Sequence, residues 1–221
     1  MGEQKNFITP IHQKSSRSYL SYMNHEKVQC MKIARQYGQD FWDGDRKYGY
    51  GGYRYIENRW TPVAKSLIET YNLVADSRLL DIGCGKGFLL HDLLLLEPRL
   101  RVVGSDISSY AIENSTELVR PYLINFDARD RFFWSENEFD LAISINVFHN
   151  FEVHEIEACL KQFQRIAKSH YLVVESYRDE QELFNLQCWA RTCETFFKPN
   201  EWIWLFERAG YQGDYEFIYF E

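Results

Sequence analysis

The sequence predicts an α/β fold built on a parallel sheet, on three observations. Short apolar runs alternate with helix-periodic segments between residues 79 and 175. One such run enters a glycine-rich turn, LLDIGCGKG, directly ahead of an apolar helical stretch, and the next closes on an aspartate, VVGSD. That alternation sets parallel strands side by side, with helices crossing over their faces. The 221 residues accommodate one such sheet preceded by an extension. We therefore expect an N-terminal helical and loop lid over 1–60 and the sheet domain over 61–221.

In chain order, residues 26–37 place Val28, Met31 and Ile33 along one face and predict a helix. Residues 41–60, FWDGDRKYGYGGYRYIENRW, are dense in glycine and tyrosine and poor in aliphatics, so they predict a long loop. Thr61 with Pro62 reads as an N-cap followed by proline at the first helical position, and Val63, Leu67, Ile68 and Tyr71 recur at helical spacing. The sheet follows: strand 79–82, helix 88–96, strand 102–105, helix 110–119 and strand 122–126. Strand 139–145, helix 155–167 and strand 171–175 complete five parallel strands with right-handed crossovers. Residues 181–196 read as helical, Asn200 as the cap of a helix over 201–209 stopped by Gly210, and 215–220 as a terminal strand.

Composition narrows the function. A net charge of -7 and a pI near 5.5 leave no global positive field for a nucleic-acid backbone, which disfavours nucleic acid as substrate. Lys5, Lys14, Arg17 and Lys27 are balanced by Glu3 and Glu26, so the start of the chain reads as a solvated arm. Five cysteines, odd in number and without a CxxC pair, read as reduced thiols of a cytoplasmic protein. No His/Cys/Asp/Glu cluster suggests a metal site. We expect no secretory signal and no membrane partner, because the most apolar run, 88–96, is far short of a bilayer core of about 30 Å. Assembly into a homo-oligomer is left open.

In LLDIGCGKG, Gly83, Gly85 and Gly87 alternate, which lets the backbone turn sharply and approach a ligand. NAD, FAD, nucleotide and S-adenosylmethionine (SAM) sites all use such loops, so the neighbours must discriminate. In the dinucleotide register the third glycine falls on Phe88, which misplaces the helix start for a pyrophosphate. Asp81, just ahead of the turn, would repel a pyrophosphate and would hold an ammonium; SAM carries an ammonium and no phosphate. Asp106 ends the next apolar run, where a carboxylate accepts the hydroxyls of an adenosine ribose, as it also does in dinucleotide sites. Asp127, in NFDARD, sits where an acid takes an adenine amino group and Ala128 offers its N–H to a ring nitrogen. Ordinary loop chemistry with helix capping accounts for Asp127 equally well.

Together LLDIGCGKG, GSDIS, FDARD and LAISINVFHN resemble the class I SAM-dependent methyltransferases, over residues 62–220. The resemblance implies a Rossmann-like, seven-stranded, mostly parallel sheet with helices on both faces and an antiparallel last strand, the place of 215–220. It implies SAM as cofactor, with Asp81, Gly83, Cys84, Gly85 and Gly87 at its methionine end, Asp106 and Ile107 at the ribose, and Asp127 and Ala128 at the adenine. Asn146 would lie beside the methyl group, with Tyr53 and Arg59 reaching in from the lid. Segments WDGDRKYGYGGY and TCETFFKPNEW are similar to methyltransferases of surface-glycan pathways.

Methyl transfer is an in-line displacement that needs alignment and exclusion of water, and a base only where the acceptor ionises poorly. His149, at the fourth strand end, is the candidate base, since its ordinary pKa of about 6.5 suits proton removal near neutrality. His154 is a rival, and Glu175 and Tyr177 share the same rim; capping, filling or plain strand-end polarity also explains each. Residues 44–55 are suited to closing over the cofactor. Arg46, Arg54 and Arg59 suit a carboxylate of cofactor or acceptor, or plain surface charge. Residues 188–204 sit where members of the family build an acceptor pocket. The expected reaction is O-methylation of a small polar metabolite, a sugar or nucleotide-linked group. Protein or RNA methylation, or a non-catalytic methyltransferase-like scaffold, are the alternatives, and an NAD oxidoreductase is opposed by Phe88 and Asp81.

Overall fold

The strands bury both faces, which is why they read as continuous apolar runs. In the computed structural model, which describes residues 1–14, 17–24 and 26–221, β1 (Arg78–Ile82), β2 (Arg101–Asp106), β3 (Leu123–Asn125), β4 (Phe139–Ile145), β5 (Ala167–Glu175) and β6 (Asp214–Ile218) form one sheet. Its order is β3-β2-β1-β4-β5-β6, and every neighbouring pair is parallel. The helices are α1 (Thr9–His12), α2 (Lys27–Ala34), α3 (Gln39–Trp42), α4 (Thr61–Thr70), α5 (Phe88–Leu96), α6 (Ser109–Glu113), α7 (Val153–Ile166), α8 (Glu180–Trp189) and α9 (Pro199–Ala209). Strand periodicity of two separates the core. Leu79, Leu141, Ile143 and Val173 pack with α4 and α5 on one face. Leu80, Ile82, Leu172 and Val174 pack with α7 and α9 on the other. No helix among the described residues is long and apolar enough to cross a membrane, and all five cysteines are free.

The sheet has six strands rather than seven, and the last is parallel, not antiparallel. The connection from β5 to β6 runs through α8 and α9, a crossover of the kind that joins parallel neighbours. Smaller departures have local causes. In α2 the buried residues are Cys30 and Ala34, while Val28 is exposed. Thr61 is not the cap of α4; Trp60 is, and the Thr61 hydroxyl donates to Asp92 at 2.8 Å. Nor is Asn200 the cap of α9, which starts from Lys198 and Pro199 and ends at the left-handed Gly210. The helix expected over 110–119 stops at Glu113.

The first residues are docked rather than solvated. Gln4 bridges Tyr215 in parallel at the outer side of β6, with Lys5 N–H donating to the Tyr215 carbonyl at 2.8 Å. Glu216, 1% exposed, anchors the segment beyond. Its carboxylate accepts the N–H groups of Phe7 (2.6 Å), Ile8 (3.1 Å) and Thr9 (2.6 Å), the Thr9 hydroxyl (2.7 Å) and the Tyr171 hydroxyl (2.5 Å). A buried carboxylate is tolerated when its lone pairs are filled in this way. Glu216→Gln puts an amide NH2 against backbone N–H groups and is expected to cost about 3 kcal/mol, or roughly 6–12 °C in Tm. Differential scanning calorimetry checks this; a shift within 2 °C would show that the anchor contributes nothing net.

Candidate active site

The glycine turn between β1 and α5 is forced by contact. Gly83 has φ +76° and Gly85 φ +57°, conformations that side chains oppose. A Cβ on Gly83 would lie 2.1 Å from Val147 Cγ2, and one on Gly85 2.8 Å from Trp42 Cη2. The N–H groups of Gly83 and Cys84 both donate to the Ser105 carbonyl, clamping the turn to β2. Gly87, also left-handed, caps α5. Burial holds the Cys84 thiol far above its usual range, so it is not a nucleophile.

Two carboxylates flank the turn. Asp81 is 4% exposed and receives no hydrogen bond from any described residue; burial, with Asp106 nearby, pushes its pKa up to about 8. Such a group binds a cation strongly once ionised. Asp106 accepts the N–H of Gly85 at 2.7 Å on one oxygen and that of Ser108 at 2.8 Å on the other. Each oxygen keeps a second lone pair, the requirement for receiving ribose hydroxyls. Ile107, exposed beside it, Asp127 and Ala128 line the same cavity. Asp127 is already held by Arg129, at 2.6 Å, and by the Arg129 N–H. Asn146 closes the far side: it has φ +59°, and its amide oxygen is buried without a partner, as is that of Asn150. Orphaned buried acceptors and left-handed non-glycine residues concentrate where ligands bind.

His149 and Glu175 meet at the ends of β4 and β5. His149 Nδ1 accepts the Glu175 N–H at 3.2 Å, so in the neutral ring the proton sits on Nε2, which faces Glu175 Oε2 at 3.4 Å. Burial holds the imidazole well below its usual range and pushes the Glu175 carboxyl up to about 8. The ring therefore has no spare lone pair for an acceptor proton, and the carboxylate does. Tyr177 lies beyond the end of β5, packs partly buried against the core layer that holds Leu79 and Val173, and does not line the cavity. His154 is exposed and pairs with Glu152 at 3.5 Å.

The tyrosine-rich segment is seated on the glycine turn. Lys86, 4% exposed, donates to both oxygens of Asp43 (2.9 and 2.7 Å) and to the Tyr53 carbonyl (2.8 Å). Tyr110 donates to the same carboxylate at 2.8 Å. Trp42 stacks on Tyr50 and donates from Nε1 to Ser108 Oγ at 2.9 Å. Tyr53 and Arg59 line the cavity with Trp42, whereas Arg54 does not. The cavity is about 470 Å³. Beyond the cofactor-side residues its wall is built by Ile8, Ile11 and His12 of the docked first segment and by residues 189–194. Trp202, in the stretch 188–204, is core.

The first segment and the Lys86–Asp43 tether are not apparent in the sequence. The first joins the site through backbone bonds to a residue about 208 positions away, which leaves no periodicity. Lys86 does stand inside GCGKG, and WDGD supplies its partner, but only proximity in space pairs them.

A glycine turn between two buried carboxylates, Asp81 and Asp106, opens into a cavity at the strand ends, the place where open parallel sheets bind their ligands. A family model described as "Methyltransferase domain" matches residues 73–210, and the chain belongs to that family. Members of this family take their methyl group from SAM. Over 45 residues it is 42% identical to a malonyl-[acyl-carrier protein] O-methyltransferase of Legionella pneumophila, a match spanning 20% of this chain and 16% of that protein. The YcgJ protein of Bacillus subtilis superposes with a TM-score of 0.53 at 19% identity, over 66% of each chain. The geranyl diphosphate C-methyltransferase of Streptomyces coelicolor A3(2), solved with S-adenosyl-L-homocysteine, gives 0.54 at 12% identity, over 66% of this chain and 58% of its own. Each match spans less than two thirds of the relative, and the structural likeness is one of fold.

Proposed function

We propose that the chain moves the methyl group of SAM to an oxygen of a small polar acceptor, a sugar or nucleotide-linked group, with Glu175 as the base and His149 positioning it. The observation that carries this is the buried Glu175 carboxyl beside the Nε2–H of His149, in a cavity that residues of the lid and of the docked first segment help to line. Bound SAM supplies an electrophilic carbon on a sulfonium sulfur. Asp81 and the orphaned Asn146 oxygen would hold its ammonium, the backbone of Gly83 to Gly87 its methionine end, and Asp106 with Ile107 its ribose. Asp127 and Ala128 would take the adenine, with Tyr53 and Arg59 closing from the lid.

A hydroxyl holds its proton far more tightly than a carboxylate, so its attack needs a base in contact, which a carboxyl near pKa 8 provides around neutral pH. Residues 1–60 then act as lid and wall, and 61–221 as the catalytic domain. A cavity of about 470 Å³, lined by aromatic residues and a few convergent polar groups, favours a metabolite over a peptide or RNA. The test is transfer of labelled methyl from SAM across a panel of small hydroxyl compounds, with protein and RNA fractions in parallel. Base-stable label on a small molecule, lost in Glu175→Gln, is expected. Label confined to protein or RNA would overturn the proposal.

A further inference from the structure

A second, smaller pocket of about 140 Å³ opens beside the main cavity, and its lining is cationic: Lys27, Arg46, Lys47 and Arg191, with Tyr22 and Asn24. Arg46 and Arg191 belong to the walls of both spaces. None of the cofactor-side residues Asp81, Gly83, Gly85 or Asp106 reaches it. Its position is therefore that of an acceptor's far end rather than of SAM.

Among the described residues no carboxylate pairs with Lys27, Arg46 or Arg191; only Lys47 has one, Glu26 at 3.1 Å. Backbone carbonyls hold the rest in place. Lys27 Nζ donates to the carbonyls of Cys188 (2.7 Å) and Ala190 (2.5 Å). Arg191 donates to those of Lys47, Trp189 and Arg46. Arg46 donates to those of Gly49 and Tyr50. Carbonyls satisfy donors but do not neutralise charge, and an ammonium has three N–H donors and a guanidinium five, so donors remain. Arg191 is 8% exposed and Lys27 is half-buried, while Arg46 and Lys47 reach solvent at the rim. Burial and the neighbouring Arg191 pull Lys27 down to about 8, and burial with Arg46 lowers Arg191, the response of cations crowded without an anion. The chain as a whole is acidic, so this cluster runs against its net charge of -7.

We propose that this pocket is an anion subsite holding a phosphoryl group carried by the methyl acceptor. The proposal rests on the small-molecule reading above and narrows it to an elongated phosphate ester, whose hydroxyl lies by Glu175 and whose phosphate lies among Lys27, Lys47, Arg46 and Arg191. Guanidinium forks match phosphate oxygens, and two or more cations offset the dianion's loss of hydration. Arg46, shared by the two pockets and bonded to lid carbonyls, ties occupancy of the subsite to seating of the lid.

The test is calorimetric titration of the SAH-saturated protein with inorganic phosphate and, separately, with a sugar monophosphate, against chloride at equal ionic strength. Saturable one-to-one binding is expected, tighter for the ester than for free phosphate. Lys27→Gln, which keeps a donor for the two carbonyls, and Lys47→Gln, at a half-exposed position, are each expected to weaken it at least fivefold. The affinity for SAH, measured in the same samples, is expected to stay within twofold and reports on the donor site separately. Absence of saturable binding, or binding that neither variant weakens, overturns the subsite.

Discussion

Asp106→Ala is expected to weaken S-adenosylhomocysteine binding by at least about 100-fold. Two hydrogen bonds from ribose hydroxyls to an ionised carboxylate are worth about 1.5–3 kcal/mol each, and every 1.4 kcal/mol is tenfold. The substitution also frees the Gly85 N–H, now held at 2.7 Å, so the turn loses one of its ties to β2. Stability changes less than binding: two N–H groups lose their acceptor, while a carboxyl whose pKa burial raises is removed. Asp127→Ala supplies the contrast. That carboxylate is already engaged by Arg129, and its loss is expected to cost less than tenfold. Equal losses at the two positions, read by calorimetry, would contradict the assigned roles.

Glu175→Gln is expected to lower kcat by about 10²–10⁴-fold while leaving SAH affinity within threefold, as the loss of a general base does. For the wild type, kcat/KM should rise with pH, reach half its maximum near 8 and level off above that, because the carboxyl acts only when ionised. The same shift has a consequence for stability. An acid whose pKa rises from 4.5 in the unfolded chain to about 8 in the fold keeps its proton in the native state after the unfolded state has released it. Native stability therefore falls as pH climbs through that window, by at most about 5 kcal/mol from this group. Gln cannot ionise and still accepts from His149 Nε2. The variant should match the wild type in Tm near pH 5 and exceed it at pH 8.5, by at most about 10–20 °C. A variant less stable than the wild type at pH 8.5 would mean that the carboxylate is stabilised by its surroundings, against the burial seen here.

The parts of the site that were legible are those written locally in the chain. The turn from Asp81 to Gly87 is set by backbone that only glycine adopts easily, and helix 88–96 and strand 139–145 have the expected bounds because length, apolar run and flanking turn agree. The antiparallel last strand was an expectation from resemblance alone; the crossover carried by α8 and α9 decides its direction. Which atom of the His149–Glu175 pair is free is not legible, since it depends on one N–H landing on Nδ1. Tyr177 follows Glu175 by two positions, which in a continuing strand would share its face, but β5 ends at Glu175 and the alternation lapses. The docked first segment is hidden for another reason: Glu216 captures backbone N–H groups, and any sequence there supplies those.

The most direct measurement is titration of the purified protein with SAH at pH 7, in two buffers of different ionisation enthalpy, with NAD in parallel. One-to-one binding of SAH is expected, with release of close to one proton, because Asp81 begins near pKa 8 and must ionise to meet the ammonium. No response to NAD is expected, since Asp81 and Phe88 both oppose a pyrophosphate. Absence of SAH binding, or saturable binding of NAD in its place, would contradict the assignment of this cavity to a methyl donor.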